Sequence, residues 1–236
     1  MAMRYDKSLF QNNNIYTVHE YKSRDEWVKG RQELHGIGGS DASAALGMSP
    51  WKTNLELWQE KTGRIKHPNI SNNERVQYGT DAEEYIRRLF QLKHRDDYEI
   101  QYQKDTILQN RKHPEMLYSP DGLILDKNGR RGILEIKTSW LMKSWDKEKW
   151  YNRQTKQQVL PNNYYIQVLH GMNVTECEFM DLYAELVHPN GNSELVQYHA
   201  ERDELTDDLE MVYEGIIEFW RDVVADTEPA LILPEL

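Results

Sequence analysis

The chain has 236 residues, a formal net charge of −10 and one cysteine, Cys177. Its length fits one large domain or at most two small ones, and a lone cysteine excludes an internal disulfide framework and fits a reducing compartment. Met1 to Asn14 is polar and lacks the apolar core of a signal peptide, and no apolar run approaches membrane-spanning length. The expectation is a soluble cytoplasmic protein. With no Pro/Ser/Gly-rich linker, repeat or low-complexity tract, the chain divides into an N-terminal segment, 1–22, and a single domain, 23–236.

Ser23-Arg24-Asp25-Glu26 reads as a capping box opening a helix through about Leu34, with Trp27 and Arg31 one turn apart. Gly36 to Gly47 is a glycine-rich turn feeding a short helix capped by Ser40. Free amides at a helix start behind glycines form an anion site; an ordinary N-cap is the competing reading. Ser49-Pro50-Trp51 breaks this helix, Asn54 to Lys61 forms the next, and Lys66 to Asn73 is a polar connection. Gly79 to Phe90 is a helix with the apolar stripe Ala82, Tyr85, Ile86, Leu89 and Phe90. On its wheel Glu83 falls with Ile86 and Phe90, whereas Glu84 lies with Arg87, Arg88 and Gln91. One acid therefore faces inward and the other water, unless Glu83 is spent on a capping box with Thr80.

Tyr98 to Leu108 alternates loosely, as a strand would. Next comes Ser119-Pro120-Asp121-Gly122, then Leu123-Ile124-Leu125 and Ile133-Leu134 flanking Asp126-Lys127-Asn128-Gly129-Arg130, a hairpin signal. With Gly129 in the left-handed position of a three-residue loop, Asp126 pairs with Arg130, and counting back sets Asp121 opposite Glu135. A two-residue Asn128-Gly129 turn would split the two acids, because a one-residue slip exchanges a strand's faces. The three-residue loop, or a compensating bulge near Gly132, is predicted. Glu135 and Lys137 then share one face and Ile136 points to the other. Charged groups on an apolar strand are costly to desolvate; a divalent metal held by Asp121 and Glu135 beside Lys137 accounts for them. The competing reading is an edge hairpin with a solvated Asp-Gly turn and an exposed Glu/Lys pair.

Thr138 to Gln158 mixes Trp140, Trp145, Trp150 and Tyr151 with five bases between Lys143 and Lys156, a composition suited to phosphate contact and base stacking or to packing a helix on the sheet. The acidic total does not exclude a polyanionic partner: Glu201 to Glu228 holds eleven acids against Arg202 and Arg221, and local field decides such binding. Asn162/Asn163 cap a helix, Tyr164 to Met172, in which Gln167 sits among apolar residues and needs hydrogen-bond partners. Glu178 to Val187 and Glu194 to Ala200 are strands of a second hairpin. A final helix, about Asp203 to Val224, buries Leu205, Leu209, Val212, Ile216, Phe219 and Val223. This order predicts an α/β or α+β domain with a mixed central sheet and flanking helices. The eight histidines show no metal-ligand spacing.

Inward Glu83, Ser-Pro-Asp121-Gly, Glu135-x-Lys137 and helical Gln167 together resemble the PD-(D/E)xK nuclease pattern, with a restriction-endonuclease-like core. With Trp27-x-x-x-Arg31 and the Gly-Gly-Ser40 turn, the order resembles the phage lambda-type alkaline exonuclease and YqaJ-type viral recombinase family. The resemblance implies a 5′→3′ double-strand DNA exonuclease of phage-type recombination using two Mg²⁺ ions, with Mn²⁺ as a substitute. Asp121 would bridge the ions, Glu135 and the Ile136 carbonyl would complete one site, and Glu83 would ligate the second. Lys137 would activate the attacking water with help from Gln167, and Arg31 and Ser40 would hold the 5′-terminal phosphate. It also implies a ring-shaped homotrimer around double-stranded DNA and a single-strand annealing partner, in the bacterial host's cytoplasm if phage-encoded. A nicking or structure-specific endonuclease on the same acids, and a nuclease-dead DNA-binding subunit, are the alternatives. Two departures stand out: Arg31 and Ser40 are two residues further apart than in the lambda enzyme, and an acid expected upstream of Ser-Pro-Asp is replaced by Asn110, Arg111 and His113.

Overall fold

The computed structural model describes residues 8–66 and 73–233, so most of the expected 66–73 connection and the start of the N-terminal segment lie outside the described residues. In chain order the elements are β1 (Tyr16–Glu20), α1 (Arg24–Leu34), α2 (Gly39–Ala45), α3 (Asn54–Lys61), α4 (Glu74–Lys93), β2 (Tyr98–Gln101), β3 (Thr106–Asn110), β4 (Leu117–Tyr118), β5 (Gly122–Asp126), β6 (Arg131–Trp140), α5 (Ser144–Glu148), α6 (Asn162–Thr175), β7 (Phe179–Val187), β8 (Ser193–Glu201) and α7 (Thr206–Val224).

The central sheet has the order β2-β5-β6-β7-β8. Its β6–β7 pair is parallel and the others are antiparallel. A parallel pair needs a crossover, and here it carries α5 and α6. This is the expected mixed sheet flanked by helices. A second antiparallel sheet, β1-β3-β4, was not foreseen: the stretch read as one strand from Tyr98 divides, β2 joining one sheet and β3 the other.

Alternation along β5 and β6 assigns the two sheet faces. Leu123 and Ile133 belong to the main core with Ile166, Val168 and Leu169 of α6 and the inward stripe of α7. Ile124, Leu134 and Ile136 pack instead against Ile86 and Phe90 of α4. Burial of a side chain of this size contributes roughly 1.5–3 kcal/mol, so each helix is held mainly by its sheet-facing stripe. All six apolar residues foreseen from Leu205 to Val223 are buried.

The hairpin register is the predicted one. Gly122 pairs with Leu134 and Leu125 with Arg131, the Asp126 amide donates to the Arg130 carbonyl at 3.0 Å, and Gly129 has φ +81°. Glycine adopts that left-handed conformation without a Cβ clash. The loop therefore has three residues, and the ladder runs back to set Asp121 against Glu135.

Four local expectations are corrected. Helix α4 starts at Glu74, capped by Asn73, and the Thr80 hydroxyl donates to the Val76 carbonyl rather than capping a helix with Glu83. Its stripe is narrower than expected: Tyr85 and Leu89 are 66% and 47% exposed, whereas Arg87, read as facing water, is buried. Ser40 is not a cap, because Gly38 holds that position and Ser40 lies inside α2. Pro161 occupies the N-cap of α6, which begins at Asn162.

Candidate active site

Buried Glu135, 1% exposed, is the most enclosed of the expected acids. Strand alternation aims it at the α6 face, where three donors meet it. Lys137 Nζ donates to Glu135 Oε1 at 2.6 Å, Gln167 Nε2 donates to the same oxygen, and Tyr118 Oη donates to Oε2 at 2.8 Å. Gln167 thus finds its partner in a carboxylate, which explains an amide inside an apolar helix. Gly39 lets α2 approach closely here: a Cβ on it would stand 3.1 Å from Gln167 Cγ and 3.3 Å from the Tyr118 ring. Tyr118 was not singled out from sequence, and only its place next to Ser-Pro-Asp could have marked it.

Asp121 sits just before β5, and its Oδ2 accepts the Ile136 amide proton at 2.7 Å. Burial, then the nearby Glu135 and Glu83 charges, hold the Asp121 carboxyl well above the usual carboxylate range. Burial also raises Glu83, with Glu135 adding to the effect and Arg87 opposing it. For Lys137, burial disfavours the charge, yet Glu135 and Asp121 outweigh it and raise its pKa. All three shifts are upward, which disfavours the acids' charges and favours the lysine's, and so describes a cluster with more negative charge than its own cations neutralise.

Glu83 reaches this region from α4 but hydrogen-bonds to neither of the other acids. Its Oε1 accepts from Arg87 Nη2, and Arg87 Nε donates to the Asp121 backbone carbonyl at 2.7 Å. Among the described residues, no three His, Cys, Asp or Glu side chains are gathered closely enough to hold a metal ion. The Arg87 pairing gives the reason on the Glu83 side. The donor set nevertheless fits a hard dication: carboxylate oxygens on three residues, with the Asp121 charge disfavoured until a cation joins it.

Arg31 and Ser40 are brought together, with Arg31 Nη2 donating to Ser40 Oγ at 3.1 Å and to Asp41 Oδ2 at 3.0 Å. The wider spacing is thus accommodated. Asp41, unremarked in the sequence, is the buried hub: Lys61 Nζ lies 2.9 Å and Lys52 Nζ 3.9 Å from its oxygens. Burial works against its charge, but Lys61, Arg31 and Lys52 together hold the carboxyl well below the usual range. Lys52 is shared with Glu60, whose Oε2 lies 2.5 Å from its Nζ, so three cations against two carboxylates leave the cluster with one net positive charge. In the region of the missing upstream acid, Asn110 has a structural part, donating to the Asn173 and Val174 carbonyls near the end of α6. The tryptophans divide: Trp150 is in the core, Trp140 packs edge-on to Tyr78, and Trp145 is exposed.

A model of the YqaJ-like viral recombinase domain matches residues 26–178. The uncharacterized protein YqaJ of Bacillus subtilis (strain 168) is 32% identical over 212 residues, covering 89% of this chain and 59% of that protein. This chain therefore spans less than two thirds of that relative's length. Among solved structures, an alkaline exonuclease from Laribacter hongkongensis in complex with dAMP superposes with a TM-score of 0.59 at 17% identity, over 86% of this chain and 94% of the other. A phage-related exonuclease from Haemophilus somnus 129PT gives 0.54 at 14% identity, over 84% and 99%. At these identities the structural likeness is one of fold.

Proposed function

The chain belongs to the YqaJ-like viral recombinase family, and from that premise we propose that it is a divalent-metal-dependent exonuclease that degrades double-stranded DNA from its 5′ ends. The observation that carries this reading is the convergence of Asp121, Glu135, Lys137 and Gln167 where β5 and β6 meet α6. A binding module has no use for a buried carboxylate cluster facing a polyanion.

Asp121 and Glu135 would hold the first cation with the Ile136 carbonyl, and Glu83 would contribute to a second. Mg²⁺, or Mn²⁺ in its place, supplies when bound a water of lowered pKa and charge stabilisation on the attacking and leaving oxygens. The chain's own residues do the rest. Lys137 places a fixed positive charge beside the scissile phosphate, where negative charge develops. Gln167 and Tyr118 fix the Glu135 carboxylate from both of its oxygens, so its orientation is set before substrate arrives. Arg31 and Ser40, backed by Asp41, would take the 5′-terminal phosphate, a group that suits a guanidinium and a hydroxyl. A homotrimer closed around the duplex and a single-strand annealing partner, both implied by the family resemblance, complete the proposal.

The test is digestion of linear duplex by wild type and by Glu135→Gln, each with Mg²⁺ and with excess chelator. The reading expects acid-soluble nucleotides from wild type with Mg²⁺ alone. Equal release by the variant, or release in chelator, would exclude it.

A further inference from the structure

Two glutamate–arginine pairs with the same four-residue spacing stand side by side on α4, and the fold treats them oppositely. Glu84 and Arg88 are a surface pair, their side chains 59% and 71% exposed, whereas those of Glu83 and Arg87 are 28% and 11% exposed. Surface pairs of this kind contribute little. A guanidinium taken out of water must have its donors occupied. Arg87 meets that demand with three contacts: Nη2 to Glu83, Nε to the Asp121 backbone carbonyl at 2.7 Å, and its plane over the Tyr102 ring at 3.4 Å. Arg87 therefore grips both the residue that carries one candidate ligand and the side chain of another.

We propose that Arg87 is a positioning residue, a resident cation that parks Glu83 away from the Asp121–Glu135 pair. The protein then takes its first dication readily and its second only when Glu83 is drawn off Arg87. This rests on the metal-dependent reading above. Formal charge points the same way: three carboxylates against Lys137 and Arg87 leave one net negative charge, which attracts a first dication and leaves none for a second. Because Arg87 also braces the Asp121 carbonyl, release of Glu83 loosens one tie and keeps the other, so the first site stays in place.

The test is titration of the full chain with Mn²⁺ alone, followed by electron paramagnetic resonance of free Mn²⁺, for wild type, Arg87→Met, Arg87→Lys and Glu83→Gln. Wild type is expected to bind one ion tightly and one weakly. Arg87→Met should tighten the weak site about tenfold or more, the scale of an ordinary site-to-site coupling, and leave the tight site nearly unchanged. Arg87→Lys keeps the charge for Glu83 without the planar fork and should fall between the two; it decides the matter if Arg87→Met does not fold. Glu83→Gln should abolish the weak site alone. Two equal sites in wild type, unchanged affinities in both Arg87 variants, or parallel loss at both sites would overturn the proposal while sparing the metal-dependent reading. Absence of any Mn²⁺ binding by wild type would overturn both.

Discussion

The Asp121 carboxylate accepts the Ile136 amide proton at 2.7 Å, one residue beyond Glu135, which faces Asp121 across the hairpin. The two acids are thus brought together by the strand register itself, which is set at the far end of the hairpin by Gly129. With φ at +81°, Gly129 occupies a conformation that costs other residues about 1–2 kcal/mol. Gly129→Ala should destabilise the protein by about that amount in urea unfolding. It is surrounded by open space, so an effect near zero would mean that the loop rearranges at no cost.

Asp121→Asn separates function from stability. The amide oxygen can still accept from Ile136, and the variant removes a charge that burial and two neighbouring acids disfavour. Its melting temperature, without metal, should equal or exceed that of wild type, while nuclease activity falls on the order of 10³-fold or more, as when a member of a catalytic unit is removed. A lower melting temperature would show that the carboxylate stabilises the fold.

Tyr118→Phe leaves Glu135 Oε2 without its hydroxyl donor in a buried setting. An unsatisfied buried acceptor costs roughly 1–3 kcal/mol, to be read by chemical denaturation. Activity should drop about tenfold, the lower end for residues that orient a ligand.

His170 predicts an acid limit to stability. It is fully buried, its Nε2 lies 2.9 Å from the Leu117 carbonyl, and its Nδ1 has no partner. Burial lowers its pKa from 6.5 to about 4. The unfolded chain therefore binds the proton first, and stability that is complete above pH 6.5 is lost as pH falls toward 4. The gap is worth about 3 kcal/mol at roughly 1.4 kcal/mol per pH unit. His170→Gln should lose that part of the pH dependence, measured as the difference between the two proteins' unfolding free energies from pH 7 to pH 4.

What was legible in the sequence was local or periodic. The hairpin register followed from the chemistry of one glycine, and the buried stripe of α7 from its spacing. Arg87 was misplaced because a helical wheel weighs apolar residues alone: Tyr85 and Leu89, both exposed in α4, counted toward the inward stripe and pulled the apparent inward face away from Arg87. Its burial depends on the Asp121 carbonyl and Tyr102, partners that no helical spacing discloses. Asp41 was missed for a similar reason, since its three cations come from three separate stretches, at Arg31, Lys52 and Lys61. The candidate acids Asp121 and Glu135, with the base Lys137, were legible by motif because they lie on one hairpin; the residues that support them come from elsewhere in the chain.

The most direct test of the account compares linear duplex bearing 5′-phosphate or 5′-hydroxyl ends with covalently closed circles, in Mg²⁺, for wild type and Arg31→Ala. The account predicts mononucleotide release from linear DNA, faster from phosphorylated ends, with that preference lost in Arg31→Ala and circles left intact. Cleavage of the circles at a comparable rate would contradict it, because an enzyme that requires a terminus has no way to begin on them.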